Sequence, residues 1–199
     1  MLFTRSRLAF VSVLVAVAGL LVGGPQVSQA APAAEPAVDH LLEPDDVVTA
    51  TAAEFRAILE RHRDSPVIVN FWATYCVPCL KELPDLDRLQ EEFRDQGLKV
   101  LAVSIDRPKK LEEMVRPFFA KYAPNLVSYL AVGEKKAMSR IGSFRDAQKF
   151  VRALYPEWEG TVPATVIFDS GGSRLTAFSG SRTYEQFEAF LQEHVFAQP

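Results

Sequence analysis

The chain has 199 residues, 48% hydrophobic and 24% charged, which is enough to bury the core of one globular domain. Its formal net charge of −3 argues against a nucleic-acid binder, which carries a basic excess. No internal repeat or low-complexity block stands out.

The first thirty residues read as a segment apart from that domain. Arg5 and Arg7 precede an uncharged run of 15 residues, Leu8 to Val22. Gly23-Gly24-Pro25 then breaks it, and Ser28-Gln29-Ala30 sets small residues at a cleavage position, so residues 1–30 are expected to be a signal peptide. The run falls short of the roughly 20 apolar residues a bilayer span needs, and an uncleaved N-terminal membrane anchor is the alternative. In both cases the remainder is expected to be periplasmic or otherwise extracytoplasmic. Cleavage removes two arginines and takes the net charge from −3 to −5. Residues 31–44 are rich in Ala, Pro and acids and read as a spacer, leaving 45–199 as the folded domain.

Asp46–Thr49 is a short strand candidate. Thr51 and Glu54 form a capping box ahead of Phe55, Ile58 and Leu59 at helical spacing. Val67–Trp72 has the composition of a buried strand. Cys76 and Cys79 follow at once, and then a helix to about Arg94 with Leu80, Leu83, Leu86, Leu89 and Phe93 on one face, stopped by Gly97. Val100–Ile105 is a second buried strand, and Pro108–Tyr122 a helix with a kink expected at Pro117. Leu126–Val132 reads as a further strand and Lys135–Leu154 as mostly helix. Thr165–Phe168 and Arg174–Phe178 flank Asp169-Ser-Gly-Gly172, a hairpin signal, and Thr183 caps a last helix with Phe187, Phe190 and Leu191 inside. Strands alternating with helices, then a hairpin and a helix, predict an α/β sandwich: a central mixed sheet with helices on both faces.

Only two cysteines exist, and they sit three apart. An exported protein using disulfides for stability would pair distant cysteines, since long loops constrain the unfolded chain more. This pair closes almost no loop, so a redox role is the better reading. A thiolate is the nucleophile in disulfide exchange, and a free cysteine with a pKa near 8.5 is mostly protonated at neutral pH. Cys76 is expected at a helix N-terminus, where unpaired N–H groups and the positive dipole end favour an anion.

The segment Phe71-Trp72-Ala73-Thr74-Tyr75-Cys76-Val77-Pro78-Cys79 resembles the active-site stretch of thioredoxins. Its continuation Leu80-Lys81-Glu82-Leu83-Pro84 is similar to the exported branch represented by TlpA, ResA and the cytochrome c maturation thioredoxins. Gly160-Thr161-Val162-Pro163-Ala164-Thr165, just ahead of a strand, resembles that family's cis-proline loop. The resemblance implies a thioredoxin-like sandwich with a helical and strand insertion before this loop. It also implies an exported thiol–disulfide oxidoreductase that reduces disulfide-bearing client proteins, for example in cytochrome c maturation. Its electrons would come from a membrane thiol donor of the CcdA or DsbD kind. Cys76 is expected to attack the client disulfide and Cys79, one turn inside the helix, to resolve the mixed disulfide; the pair is the only redox group required, with no other cofactor and no metal. Val162 is expected to hydrogen-bond substrate backbone beside Pro163, and Tyr75, Val77 and Pro78 to surround the thiols on the substrate side, with Trp72 either beside them as substrate surface or in the core.

Two departures carry consequences. Thioredoxins proper place a buried Asp where this chain has Asn70, and an amide is no base. Glu82, one turn beyond Cys79, is the expected substitute, against the plainer reading of a solvated early-helix acid. The absence of His from the Val77-Pro78 dipeptide leans towards a reductant. The insertion is longer than usual for this branch. Lys135, Lys136, Arg140, Arg145, Lys149 and Arg152 stand there against Glu134 and Asp146, either as a solvated face or as a docking surface for an acidic partner. Two other functions compete: a thiol peroxidase of related fold, for which Thr74 is present without a suitable proline, and a copper chaperone, which needs wider cysteine spacing and a distant His.

Overall fold

The computed structural model describes residues 47–133 and 144–197, all of them in one unit, Asp39–Pro199. The segments expected as signal peptide and spacer, and Lys135, Lys136 and Arg140 of the basic segment, lie outside the described residues.

The first strand, β1 (Val47–Ala50), leads into α1 (Ala52–Arg61), whose N-terminus carries the Thr51–Glu54 capping box. Then β2 (Val67–Trp72), buried at all six positions, gives way to α2 (Val77–Glu92). A single 3-10 turn and Gly97 in the left-handed region at φ 86° reverse the chain into β3 (Lys99–Ser104). The helix expected over 108–122 is divided. Leu111–Val115 forms a π-turn and α3 runs Arg116–Tyr122, with the Arg116 N–H bonded to Leu111 O. The cause is Pro117, which has no N–H for the Glu113 carbonyl, so the ladder slips by one residue just before it. After β4 (Val127–Ala131) come α4 (Phe144–Leu154), β5 (Ala164–Phe168), β6 (Arg174–Ser179) and α5 (Tyr184–His194). The expected hairpin closes on Asp169, whose Oδ1 accepts from the Gly171 and Ser173 N–H groups, both at 2.8 Å.

The strands order as β1-β4-β3-β2-β5-β6, parallel from β1 to β2 and antiparallel beyond. Central β2 needs apolar residues on both faces, which is why Val67–Trp72 shows no polar alternation. On one face Phe71 meets Phe150 of α4, and Phe150 meets Phe55 of α1. On the other, Trp72 packs on Phe118 and Phe119 next to α2, and α5 joins α2 through the Tyr184 hydroxyl donating to Glu92. The insertion is therefore part of the sheet and its helix layer: β4 lies between β1 and β3, and Arg56 of α1 donates to Ala153 O of α4 at 2.8 Å. The site forms where β2 leaves the centre of the sheet, at the carboxyl ends of its parallel strands.

Candidate active site

The chain turns from β2 into α2 through Ala73–Cys76, closed by the Cys76 N–H on Ala73 O at 3.0 Å. Cys76 is the N-cap of α2, and Pro78 follows in its first turn, where a missing N–H costs nothing. Cys76 and Cys79 are joined as a disulfide. The Cys79 backbone N–H points at Cys76 Sγ at 3.3 Å. One free N–H of the helix start is thus aimed at Cys76 Sγ, where it can stabilise negative charge on that sulfur. Cys79 is fully buried, while Cys76 keeps an exposed edge.

Facing that edge is the loop before β5. The Val162–Pro163 bond is cis, and the Val162 carbonyl oxygen lies 3.4 Å from Cys76 Sγ. No backbone hydrogen bond among the described residues uses Val162, which leaves its peptide edge open to a partner strand. The loop is held from below by Trp158. Its buried indole N–H donates to Thr161 O at 2.6 Å, and its own carbonyl accepts from Arg152 at 3.4 Å. In the sequence, a large aromatic just before a turn is the only signal for Trp158.

Asp106 was missed altogether. Its buried carboxylate accepts from the Thr74 N–H at 2.8 Å, the Thr74 hydroxyl at 2.7 Å and the Ser104 hydroxyl at 2.8 Å. It pins the turn that delivers Tyr75 and Cys76 to the end of β3. Replacing Asp106 by Ala should lower stability by about 2–3 kcal/mol, read from the denaturant midpoint. Asp106→Asn should cost about 1 kcal/mol, since the amide oxygen can keep the Thr74 N–H and the Ser104 hydroxyl while the Thr74 hydroxyl rotates to accept from the amide nitrogen. Equal midpoints for all three proteins would deny Asp106 this role.

Glu82 is buried, 2% exposed, so it is no solvated early-helix acid. Its Oε1 accepts from Asn70 Nδ2 at 2.7 Å and its Oε2 from the Arg182 backbone N–H at 2.9 Å. Asn70 also donates to the hydroxyl of Thr165, its partner across the β2–β5 ladder, at 3.1 Å. Burial pushes the Glu82 carboxyl up to about 7, opposed by the Arg182 and Asn70 hydrogen bonds. A depression of about 360 Å³ lined by Pro78, Glu82 and the Ser181–Thr183 segment lies beside it.

The remaining predicted residues divide. Tyr75 is 65% exposed and Val77 61%, with exposed Pro78 beside them, so all three lie on the surface around Cys76. Trp72 does not. It is fully buried against Phe118 and Phe119, and its assignment to substrate contact is corrected: at the last position of β2 its ring faces the helix layer. Among the described residues no group of three or more His, Cys, Asp or Glu side chains is placed to hold a metal ion.

Residues 44–173 match the family model described as the AhpC/TSA family. The chain belongs to the AhpC/TSA family. Within it, the chain is 28% identical over 126 residues to the thiol-disulfide oxidoreductase ResA of Halalkalibacterium halodurans, covering 63% of this chain and 60% of that protein. It is likewise 28% identical over 134 residues to ResA of Geobacillus kaustophilus, covering 67% and 66%. The matches thus span less than two thirds of those relatives' lengths. The crystal structure of a thiol:disulfide interchange protein from Chlorobium tepidum TLS superposes with a TM-score of 0.53 at 18% identity, over 67% of this chain and 81% of that one. The fold of this AhpC/TSA member is thioredoxin-like.

Proposed function

We propose that this protein is an extracytoplasmic thiol–disulfide oxidoreductase that reduces disulfides in exported client proteins. The observation that carries the reading is the Cys76–Cys79 pair at the start of α2, its outer sulfur aligned with a helix N–H and covered by the Val162–Pro163 edge. The names of the ResA relatives agree with it.

Cys76 thiolate attacks one sulfur of a client disulfide; that S–S bond breaks, a Cys76–client mixed disulfide forms, and the other client sulfur leaves as a thiolate that takes a proton. The Cys79 thiol gives its proton to the Glu82 carboxylate, and its sulfur attacks Cys76 Sγ, releasing the second client thiolate. Two electrons have passed to the client, and the pair is left as the disulfide described here, with no other cofactor engaged. A client segment lying along Val162 adds a short strand to this edge. Regeneration requires a dithiol donor on the same side of the membrane, of the CcdA or DsbD kind, and export requires the N-terminal segment as signal or anchor.

Between the cysteines stand Val77 and Pro78, with no cation to favour the thiolate form further. A potential near the thioredoxin value of about −270 mV is therefore expected, rather than the oxidant range near −120 mV. The test is iodoacetamide alkylation of the reduced protein across pH, together with that potential. Cys76 should react with an apparent pKa clearly below 8.5 while Cys79 stays protected. If both thiols titrate like cysteine in water, the reading is lost.

A further inference from the structure

On the β3 side of the CxxC turn lies a depression of about 560 Å³ that the chemistry above leaves unused. It shares no lining residue with the depression over Glu82. Tyr75, the residue before Cys76, lines it, and Ile105, Met114 and Phe144 supply further apolar surface. Among the described residues six large hydrophobics are exposed, and Tyr75, Met114 and Phe144 are three of them, so exposed apolar area concentrates here. Arg107, Lys109 and Lys110 stand around it. Lys110 Nζ has Glu113 at 3.3 Å, but neither Arg107 nor Lys109 has a carboxylate within ion-pair distance among the described residues. Asp106 also lines the depression, but its oxygens are committed to Thr74 and Ser104. An apolar wall with two uncommitted cations beside it matches a ligand carrying an apolar side chain and a carboxylate.

Position narrows the ligand to a polypeptide. Once a client cysteine is bonded to Cys76 Sγ, its flanking residues advance about 3.3–3.6 Å each, so the first three come within reach of a wall that begins at Tyr75. Methionine adapts to apolar groups of varied shape, which suits a site receiving more than one sequence. We propose that this cleft is the specificity subsite for the client chain, taking an apolar side chain and a carboxylate within three residues of the cysteine that Cys76 attacks. The inference rests on the oxidoreductase reading.

The test uses the full chain, reduced, and three peptides of equal length, each closed by one internal disulfide. One carries Leu and Glu beside the cysteine, one Leu and Lys, and one Ser and Glu. At low salt the Leu/Glu peptide should be reduced about tenfold faster than the Leu/Lys peptide, and several-fold faster than Ser/Glu. The acidic-to-basic ratio should fall to within about twofold of unity in the Arg107→Ala/Lys109→Ala protein, and also in about 0.5 M salt, where the screening length is roughly 4 Å. Met114→Ser should shrink the Leu/Glu advantage over Ser/Glu. Hydroxyethyl disulfide, uncharged and without flanking residues, reports the chemistry alone. Turnover of it with equal peptide rates, or a ratio that survives in the double variant, overturns the subsite and leaves the oxidoreductase standing. Failure to reduce hydroxyethyl disulfide or any peptide overturns the oxidoreductase, and the subsite with it.

Discussion

A Cys79→Ser protein should accumulate covalent adducts with disulfide-bearing proteins, stable on non-reducing gels and dissolved by dithiothreitol, while multiple turnover falls by at least about 10³-fold. Burial sets the asymmetry: Cys76 has an exposed edge beneath the open Val162 peptide, whereas Cys79 is fully enclosed, so an incoming disulfide reaches only Cys76. Resolution by Cys79 is intramolecular, with the two sulfurs already at bonding separation in the oxidised pair. An external thiol at millimolar concentration cannot match the effective concentration of a group held in that geometry, which is the source of the expected loss. A serine hydroxyl at the same place is not a thiolate and does not cleave the mixed disulfide. Cys76→Ser should form no adducts at all. Adducts mapped to Cys79 in a Cys76→Ser protein, or none in Cys79→Ser while the wild type turns over, would invert or remove these roles.

The centre of this site was legible because each signal is local. A six-residue apolar run, a CxxC and a Leu-spaced helix are contiguous in sequence, and the Thr51 and Thr183 caps and the Asp169 turn act over three or four residues. What escaped reading depends on chain far away. Trp72 looks like a site residue from its place before the cysteines, yet the rings that bury it, Phe118 and Phe119, arrive from α3. Helical spacing puts Glu82 on the side of Cys79, but its burial comes from Asn70 twelve positions back and from Arg182 a hundred positions on. Asp106 sits just past a strand, where a solvent-facing acid is ordinary; its partner Thr74 lies 32 positions earlier and meets it because β2 and β3 pair in register up to Trp72 and Ser104. The parallel pairing of β1 with β4 likewise leaves no periodic mark in either strand.

Glu82→Gln should produce two separable changes. The first is in stability. Burial raises the folded-state pKa of Glu82 from 4.5 to about 7, so between these values the folded protein holds a proton that the unfolded chain has lost. The folded state then binds more protons than the unfolded state, and stability falls as pH rises through this window, levelling above pH 7. The full fall is about 3 kcal/mol, at roughly 1.4 kcal/mol per pKa unit. His62 works the other way, because burial and the nearby Lys99 and Arg61 charges lower its pKa, so it adds stability as pH rises towards 6.5 and levels above it. Subtracting the Glu82→Gln curve from that of wild type, both oxidised so that no thiol titrates, cancels His62 and should leave the Glu82 slope alone. A flat difference would mean that Glu82 is ionised throughout. The second change is kinetic. Glu82 can accept the Cys79 proton only when ionised, so resolution should quicken as pH rises through about 7, and the variant should lose that inflection and be slower by about 10²-fold above it. Asn70 lets one pocket serve both states. Its Nδ2 donates to the carboxylate, and its Oδ1 has no partner among the described residues. A half-turn of the amide presents Oδ1 to the protonated carboxyl, and the Thr165 hydroxyl can then donate where before it accepted. An Asp at position 70 would carry a second negative charge into this site and hold the Glu82 proton past neutral pH. The amide keeps the carboxyl's release point within the range where thiol exchange runs.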